Sequence, residues 1–459
     1  MPASPTALIM AAGHGTRMRS SLPKVLHTVC GRPMLHWVIE AARAAGAGRI
    51  VCVTRPGDGV AESLPSGVEA AEQTEGEGTA AAVLAAREQL EHRAPVITLS
   101  GDHPMISADL IEQLVAAHHA SAADATLLTT EELDPAGYGR VVRTADGTVE
   151  RIVETKSTEG LSAAELEIRE VNLGTYVFNS EALLSALDQV AEERGERYLT
   201  SVFPILRAGG GAVAVHRTTD VTSAMGVNTR IGLMEIEALA RDRLIEAHAL
   251  AGATFRAPQT IVIEPTVEIG ADTEIGPGVA LRGTTRIGDG CTVGPHSTLI
   301  DSTLEDGASV VHSYLVEAHV HAGASVGPFA YLRPDAVVGA GAKVGTFVEV
   351  KNSQIGKGAK VPHLSYIGDA DVGERANVAA GNITANYDGR RKHRTAIGDR
   401  ARTGVHTSFV APVRIGSDAY TGAGSVIVED VPDGALGISR PEQRNVEGYA
   451  ERVDTEPRE

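Results

Sequence analysis

Between residues 6 and 229 the chain alternates short apolar runs with longer segments whose apolar positions recur at helical spacing. Residues 7–10, 50–54 and 95–99 read as buried strands, and residues 33–45, 80–92 and 108–120 as the helices between them. This alternation predicts βαβ units and a mostly parallel sheet covered on both faces, in which ligands bind at the carboxyl ends of the strands. Leu233, Ile236, Ala240, Leu244 and Ala247 then keep helical spacing through residues 230–250. Gly252 ends that helix, which reads as a connector.

After Pro258 an aliphatic residue followed by glycine recurs at Ile269-Gly270, Ile275-Gly276, Ile287-Gly288 and Val293-Gly294, at intervals of 6, 12 and 6. The pattern returns in shifted phase at Val326-Gly327, Val338-Gly339 and Val344-Gly345, and again from Ile355-Gly356 to Ile415-Gly416. A period of six fits neither an α-helix nor a hairpin meander. It predicts a parallel β-helix whose aliphatic residues stack inward while small residues permit the corners. The phase breaks are expected to mark insertions. Beyond Ser439 the chain is mostly charged or polar and reads as a frayed tail. The expected organisation is therefore residues 1–229, a linker helix at 230–252, the repeat domain at 253–439 and a flexible tail at 440–459.

Composition sharpens this picture: 50 glycines and 3% aromatic residues suit a structure built on tight corners. A formal net charge of −18 repels phosphate backbones and argues against a nucleic-acid binder or a membrane-surface protein, so any phosphate site must be a local positive patch. Cys30, Cys52 and Cys291 form no disulfide framework or metal spacing, which fits a reducing cytoplasm. The first residues do not read as a signal peptide, and no apolar run reaches the roughly 18 residues of a spanning helix.

The first strand runs into Ala11-Ala-Gly-His-Gly-Thr-Arg-Met18, followed by Pro23-Lys24. Gly13 and its neighbours let backbone N–H groups approach phosphate oxygens, and Arg17 and Lys24 supply positive charge. The spacing excludes GxGxxG dinucleotide binding and the P-loop. Asp102, in Leu99-Ser-Gly-Asp102, stands just past a buried strand, where a carboxylate either caps a turn or holds Mg²⁺.

The run 11–18 together with Leu22-Pro-Lys-Val-Leu-His27 resembles the signature of sugar-nucleotide pyrophosphorylases. With the hexapeptide repeat it resembles, over about residues 6–440, the family in which such a domain is joined to an acetyltransferase. The resemblance implies a Rossmann-like nucleotidyltransferase domain followed by a left-handed parallel β-helix that forms homotrimers. It implies acetyl transfer from acetyl-CoA to glucosamine-1-phosphate, then Mg²⁺-dependent uridylyl transfer from UTP to N-acetylglucosamine-1-phosphate, for cell-wall precursors. Arg17 and Lys24 would be catalytic; Gly13, Lys24, Gln73, Gly78 and Thr79 would bind the nucleotide. Gly139, Glu154, Asn172 and Asn228 would meet the sugar, and Asp102 and Asn228 the metal. In the repeat domain, His363 would be the general base, oriented by Glu349. Arg333, Lys351, Tyr366, Asn377, Asn386 and Lys392 would bind the sugar phosphate. Ala380, Asn386, Tyr387, Val405, Ala423 and Arg440 would hold acetyl-CoA. The basic residues within 390–402 are also expected to serve as anion ligands.

Several positions depart from the family pattern: Glu77 before Gly78, Thr155 after Glu154, Leu173 after Asn172, Ala385, and Val405-His406. Leu173 is expected to cost a hydrogen bond to the sugar. These departures leave open a paralogue for another amino-sugar, a second domain that only trimerises, and a non-catalytic scaffold.

Overall fold

The structure, a computed structural model, describes residues 4–90, 94–154, 162–193 and 195–453. Thr155, the last two residues of the expected helix 80–92 and residues 454–459 lie outside them. The chain divides into two units, Met1–Ala240 and Arg241–Glu459. The division falls within the helix Arg230–Leu250.

In the first unit, Thr6–Met10 is buried on both faces. Alternate side chains serve opposite cores: Leu8 joins Val51 and Val53 on one side, and Ala7 and Ile9 join Ile50 and Cys52 on the other. Each large aliphatic side chain so buried contributes about 1.5–3 kcal/mol. Across the sheet the main strands are Val213–Arg217, Ala125–Thr130, Val171–Phe178, Val96–Ser100, Thr6–Met10, Arg49–Thr54 and Glu69–Glu72. Val171–Phe178 runs antiparallel to both its neighbours and the other adjacent pairs are parallel, so the sheet is mixed but mostly parallel. Arg140–Arg143 and Val149–Val153 add an antiparallel hairpin that the sequence pattern did not reveal. The helices Met34–Ala44 and Ala108–Ser121 match expectation. The expected helix 80–92 is interrupted: Thr79–Ala85 ends at Ala86, and a short helix, Arg87–Leu90, follows.

The second unit is a parallel β-helix of three stacked sheets. Most short strands turn one aliphatic side chain inward, as at Ile269, Ile287, Val338 and Ile355, while Thr384, Phe409 and Thr421 take that place in others, and most of the intervening inward positions carry a small residue such as Thr285, Ser302, Ala318 or Ala336. Leu244 and Ile245, at the end of the preceding helix, pack on this core. The phase breaks have a different cause from the one expected. Successive coils shrink from 18 residues (Glu268 to Arg286) to 17 (Arg286 to Thr303) and 16 (Thr303 to His319), so most breaks are deletions. One true insertion lengthens a coil to 25 residues, from Ala370 to Thr395, and projects a small hairpin closed between Tyr387 and Lys392. In the last coils, Val426–Ile427 and Leu436–Gly437 each pair on one side only, among the described residues. The tail beyond them includes a short exposed helix, Tyr449–Val453. Among the described residues no helix is long and apolar enough to cross a membrane.

Glu170 anchors the start of the antiparallel strand. Arg143 donates to its two carboxylate oxygens at 2.7 and 2.8 Å, and the Thr129 hydroxyl donates at 2.9 Å. Burial opposes the charge, but Arg143 and Thr129 outweigh it and hold this carboxyl below the ordinary glutamate range. Glu170→Gln should lower stability by about 1–3 kcal/mol at neutral pH. A depressed folded-state value means that the stabilisation is complete above the ordinary value of 4.5 and is lost as pH falls through the folded value. Denaturant titrations of the two proteins should therefore converge as pH drops below 4.5, and a constant difference would contradict this role.

Candidate active site

The carboxyl edge of the first unit's sheet opens on a cavity of about 310 Å³ lined by Gly13, Lys24, Gln73, Gly78, Thr79 and Asp102, all expected from the sequence. Gly15 has φ +59, and a Cβ there would lie 2.7 Å from the Lys24 Cβ, so this glycine admits Lys24 to the site. Gly78 has φ +97, and its Cβ would meet the Arg197 carbonyl oxygen at 2.5 Å. The backbone of Gly78 thereby sits directly against that segment.

Lys24 Nζ pairs with the Asp102 carboxylate and also donates to Asn228 Oδ1 at 3.2 Å. Arg17 donates to the same Asn228 oxygen at 2.8 Å. The Val227 N–H donates to the Asp102 carbonyl at 2.9 Å, which draws the 226–228 segment to this edge although it lies far along the chain. Burial works against the Asp102 carboxylate, but His103 and Lys24 outweigh it and hold the carboxyl below its ordinary range. The His103 imidazole is itself pushed down, first by burial and then by Lys24. Asp102 and Asn228 thus present two hard oxygen donors in one place, a set suited to a small divalent cation.

Gln73 is buried and donates to the Gly76 carbonyl at 2.9 Å. The Thr79 hydroxyl accepts from the Leu199 N–H at 2.8 Å, so part of its capacity is structural. Gly139 and Asn172 are joined by a 2.8 Å backbone bond, and the Asn172 amide donates to the Tyr176 hydroxyl at 2.7 Å. Glu154 accepts from the Thr200 hydroxyl at 3.1 Å. Leu173 is only 3% exposed and packs with Val171 and Val177 in the core on one side of the sheet. The expectation that Leu173 costs the sugar a hydrogen bond is therefore corrected: the side chain fills the core.

Sequence reading missed Arg55, which follows directly on Arg49–Thr54 and lines the cavity. It donates to Glu77 at 2.8 Å and to the Ala12 carbonyl, while His14 lies 3.4 Å from the other Glu77 oxygen. Glu77 is thus a neutralised partner. The position of Arg55 just past a strand end was the available signal.

In the β-helix the expected residues fall into two groups. On one outer face Arg333 donates to Glu349 at 2.9 Å, and Lys351 lies 3.4 Å from Asp369. Asn386 bonds to Asp369 and lies 3.4 Å from the Tyr366 hydroxyl. Lys351 holds the Lys392 ammonium below the ordinary lysine range, and Arg333 adds to this, so three cations influence one another on this face. Asp369, unremarked in the sequence, joins the group: burial opposes its charge, but Asn352, Asn386 and Lys351 favour it.

The second group is a column at one corner. The His363 carbonyl accepts from Gly381 N–H, that of Ala380 from His406 N–H, that of Val405 from Gly424 N–H, and that of Ala423 from Arg440 at 2.8 Å. His363 is exposed, and Asn377 is exposed on the strand face shared with Lys360 and Arg402. Glu349, expected to orient His363, is bound by Arg333. Tyr387 is exposed on the inserted hairpin, its hydroxyl donating to Gly389 at 2.8 Å. Two of the basic residues expected as anion ligands are already paired: Arg394 with Asp371 at 2.6 Å and Arg400 with Asp418 at 2.7 Å.

Residues 7–206 match the MobA-like NTP transferase domain, and residues 266–301 match the bacterial transferase hexapeptide model of six repeats. The chain is 45% identical to Bifunctional protein GlmU of Mycobacterium tuberculosis (strain ATCC 25177 / H37Ra), over 98% of this chain and 93% of that protein. It is 44% identical to Bifunctional protein GlmU of Exiguobacterium sp., over 97% and 99%. The protein of the same name from Halalkalibacterium halodurans is 45% identical, over 96% and 98%.

The Arg55–Glu77 bond is the leading reason that the Glu77 carboxyl lies below its ordinary range. Arg55→Ala should move its titration upward toward 4.5 in an NMR pH series. An unmoved curve would show that Arg55 does not hold it.

Proposed function

Since the chain belongs to the bifunctional GlmU family, a family of transferases with two activities on one polypeptide, we propose that the first unit transfers uridylyl from UTP to N-acetylglucosamine-1-phosphate. The second unit makes that substrate by acetylating glucosamine-1-phosphate with acetyl-CoA. The product, UDP-N-acetylglucosamine, supplies cell-wall precursors, and the reducing environment suited to the three cysteines is cytoplasmic. The observation that carries the first activity is the convergence of Arg17, Lys24, Asp102 and Asn228 at one edge of a cavity.

In uridylyl transfer an oxygen of the sugar-1-phosphate forms a bond to the α-phosphorus of UTP while the bond to the bridging oxygen breaks and pyrophosphate leaves. The chain's task is to align the anions and offset their charge. Gln73 offers a donor and an acceptor to the uracil edge, and Gly13, Gly78 and Thr79 bring backbone close to the nucleotide. Gly139, Glu154 and Asn172 receive the sugar, and Lys24 and Arg17 meet the phosphates. Asp102 and Asn228 would hold Mg²⁺, which when bound supplies further charge neutralisation at the phosphates.

In acetyl transfer His363 takes a proton from the glucosamine nitrogen as that nitrogen forms a bond to the thioester carbonyl and the coenzyme A thiol leaves. Arg333, Lys351, Tyr366, Asn377 and Lys392 would bind the sugar phosphate, and Asn386 and Tyr387 would lie near the acetyl group. Ala380, Val405, Ala423 and Arg440 would carry coenzyme A. The two groups occupy different parts of one rod's surface, which supports a homotrimer whose sites are shared between copies.

Asp102→Ala should abolish Mg²⁺-dependent pyrophosphate release and leave acetyl transfer nearly intact; full release would overturn the metal assignment. His363→Ala should do the reverse, lowering acetyl-transfer turnover by about 100-fold or more. Mixed trimers of His363→Ala and Arg440→Ala chains should recover part of the acetyl-transfer activity if the two residues serve one site from different copies. No recovery would place each site within one chain.

A further inference from the structure

One of the three β-helix sheets contains the strands ending at Ile269, Ile287, Leu304, Val320, Val338 and Ile355, and continues to Ile415. The residue after the inward aliphatic is glycine in most of its coils, as at Gly270, Gly288, Gly339 and Gly356. A Cβ at Gly288 would lie 2.8 Å from Asp306 N, and one at Gly339 would lie 2.8 Å from the Ile355 carbonyl. Glycine is replaced in two adjacent coils only, by Glu305 and His321, where Leu304 and Val320 are 16 residues apart. His319 precedes His321 by two residues, so the strand's period of two brings both imidazoles to the same region.

The replacements meet. Glu305 Oε1 lies 3.0 Å from His319 Nε2 and 2.8 Å from His321 Nδ1, and the two rings stack with centroids 4.2 Å apart. The other carboxylate oxygen is fixed by the Ala322 N–H at 3.0 Å, which leaves Oε1 directed at the imidazoles. The three ligand atoms all lie within 4.8 Å of one another. A tetrahedron with bonds of about 2.0 Å has edges of roughly 3.3 Å, so the carboxylate oxygen must move outward by a few tenths of an ångström and the stacked imidazoles must turn about their side-chain torsions for both nitrogens to face one ion.

We propose that Glu305, His319 and His321 bind a divalent transition-metal ion of the zinc class, with water completing its coordination. Two imidazole nitrogens and one carboxylate oxygen suit Zn²⁺, Co²⁺ or Ni²⁺, whereas Mg²⁺ prefers oxygen alone. The backbone bond to the second carboxylate oxygen orients the ligand as outer-shell partners do in metal sites. This site lies outside both sets of residues assigned to the transfer reactions.

The test uses the full chain, freed of metal with a chelator and titrated with Zn²⁺ against a chromophoric competitor, and with Co²⁺ by visible absorption. Glu305→Gly and His321→Gly restore the glycine of the other coils and so preserve the fold. The wild type should bind one equivalent more than either variant and show Co²⁺ bands characteristic of nitrogen ligation that the variants lack. His319→Gln should weaken binding by more than about tenfold. Oxygen-only coordination at Asp102 gives a different spectrum and persists in all three variants. Equal stoichiometry and equal spectra in wild type and variants would overturn the proposal, as would a wild-type site that fills only at millimolar metal.

Discussion

A parallel ladder forces its strands to begin at the same edge and places each residue beside its counterpart, because the chain must travel back before it can pair again. In the first unit that return journey is made by helices, and the strands therefore deliver Gly13, Arg55 and Asp102 to one carboxyl edge. In the second unit the return is made by two further strands, and equivalent positions of successive coils stack into columns. The column His363, Ala380, Val405 and Ala423 exists for the same reason that Glu349 stands over Tyr366. One rule of pairing thus builds a cleft in one half and striped surfaces in the other.

Electrostatics then works locally against an acidic background. Within a chain of net charge −18, most of the cations gathered at the two candidate sites have a carboxylate partner. Lys24 rests on Asp102, Arg55 on Glu77 and Lys351 on Asp369. Such pairs avoid leaving an unpaired charge in a half-buried site. Arg394 and Arg400 are likewise tied to carboxylates, in exposed pairs that contribute little to stability.

The six-residue period was legible because inward packing imposes it on every coil, and the first motif was legible because Gly15 and Lys24 are close in sequence as well as in space. What escaped reading depends on distant partners. The lengths of single coils are fixed by which residues they pair with, so deletions looked like insertions. Asp369 resembles any corner aspartate until Asn352 and Asn386 close around it. Leu173 illustrates the opposite failure: adjacency to Asn172 suggested a shared site, but neighbouring residues of a strand face opposite ways.

The last coil has a further consequence. Among the described residues Leu436–Gly437 pairs on one side only, and beyond its single ladder Val426 donates only to the Ser439 carbonyl at 3.2 Å, with Val428 and Ile438 exposed beside them. An edge of this kind is a template on which a second rod could extend the stack end to end, into filaments without limit. The segment that follows carries Pro441, which cannot donate to such a ladder, and then Glu442, Arg444, Glu447 and Glu451, all exposed. Proline and charges placed beside an exposed strand disfavour such end-to-end pairing, because proline supplies no ladder hydrogen bond and the charges hold water at the edge.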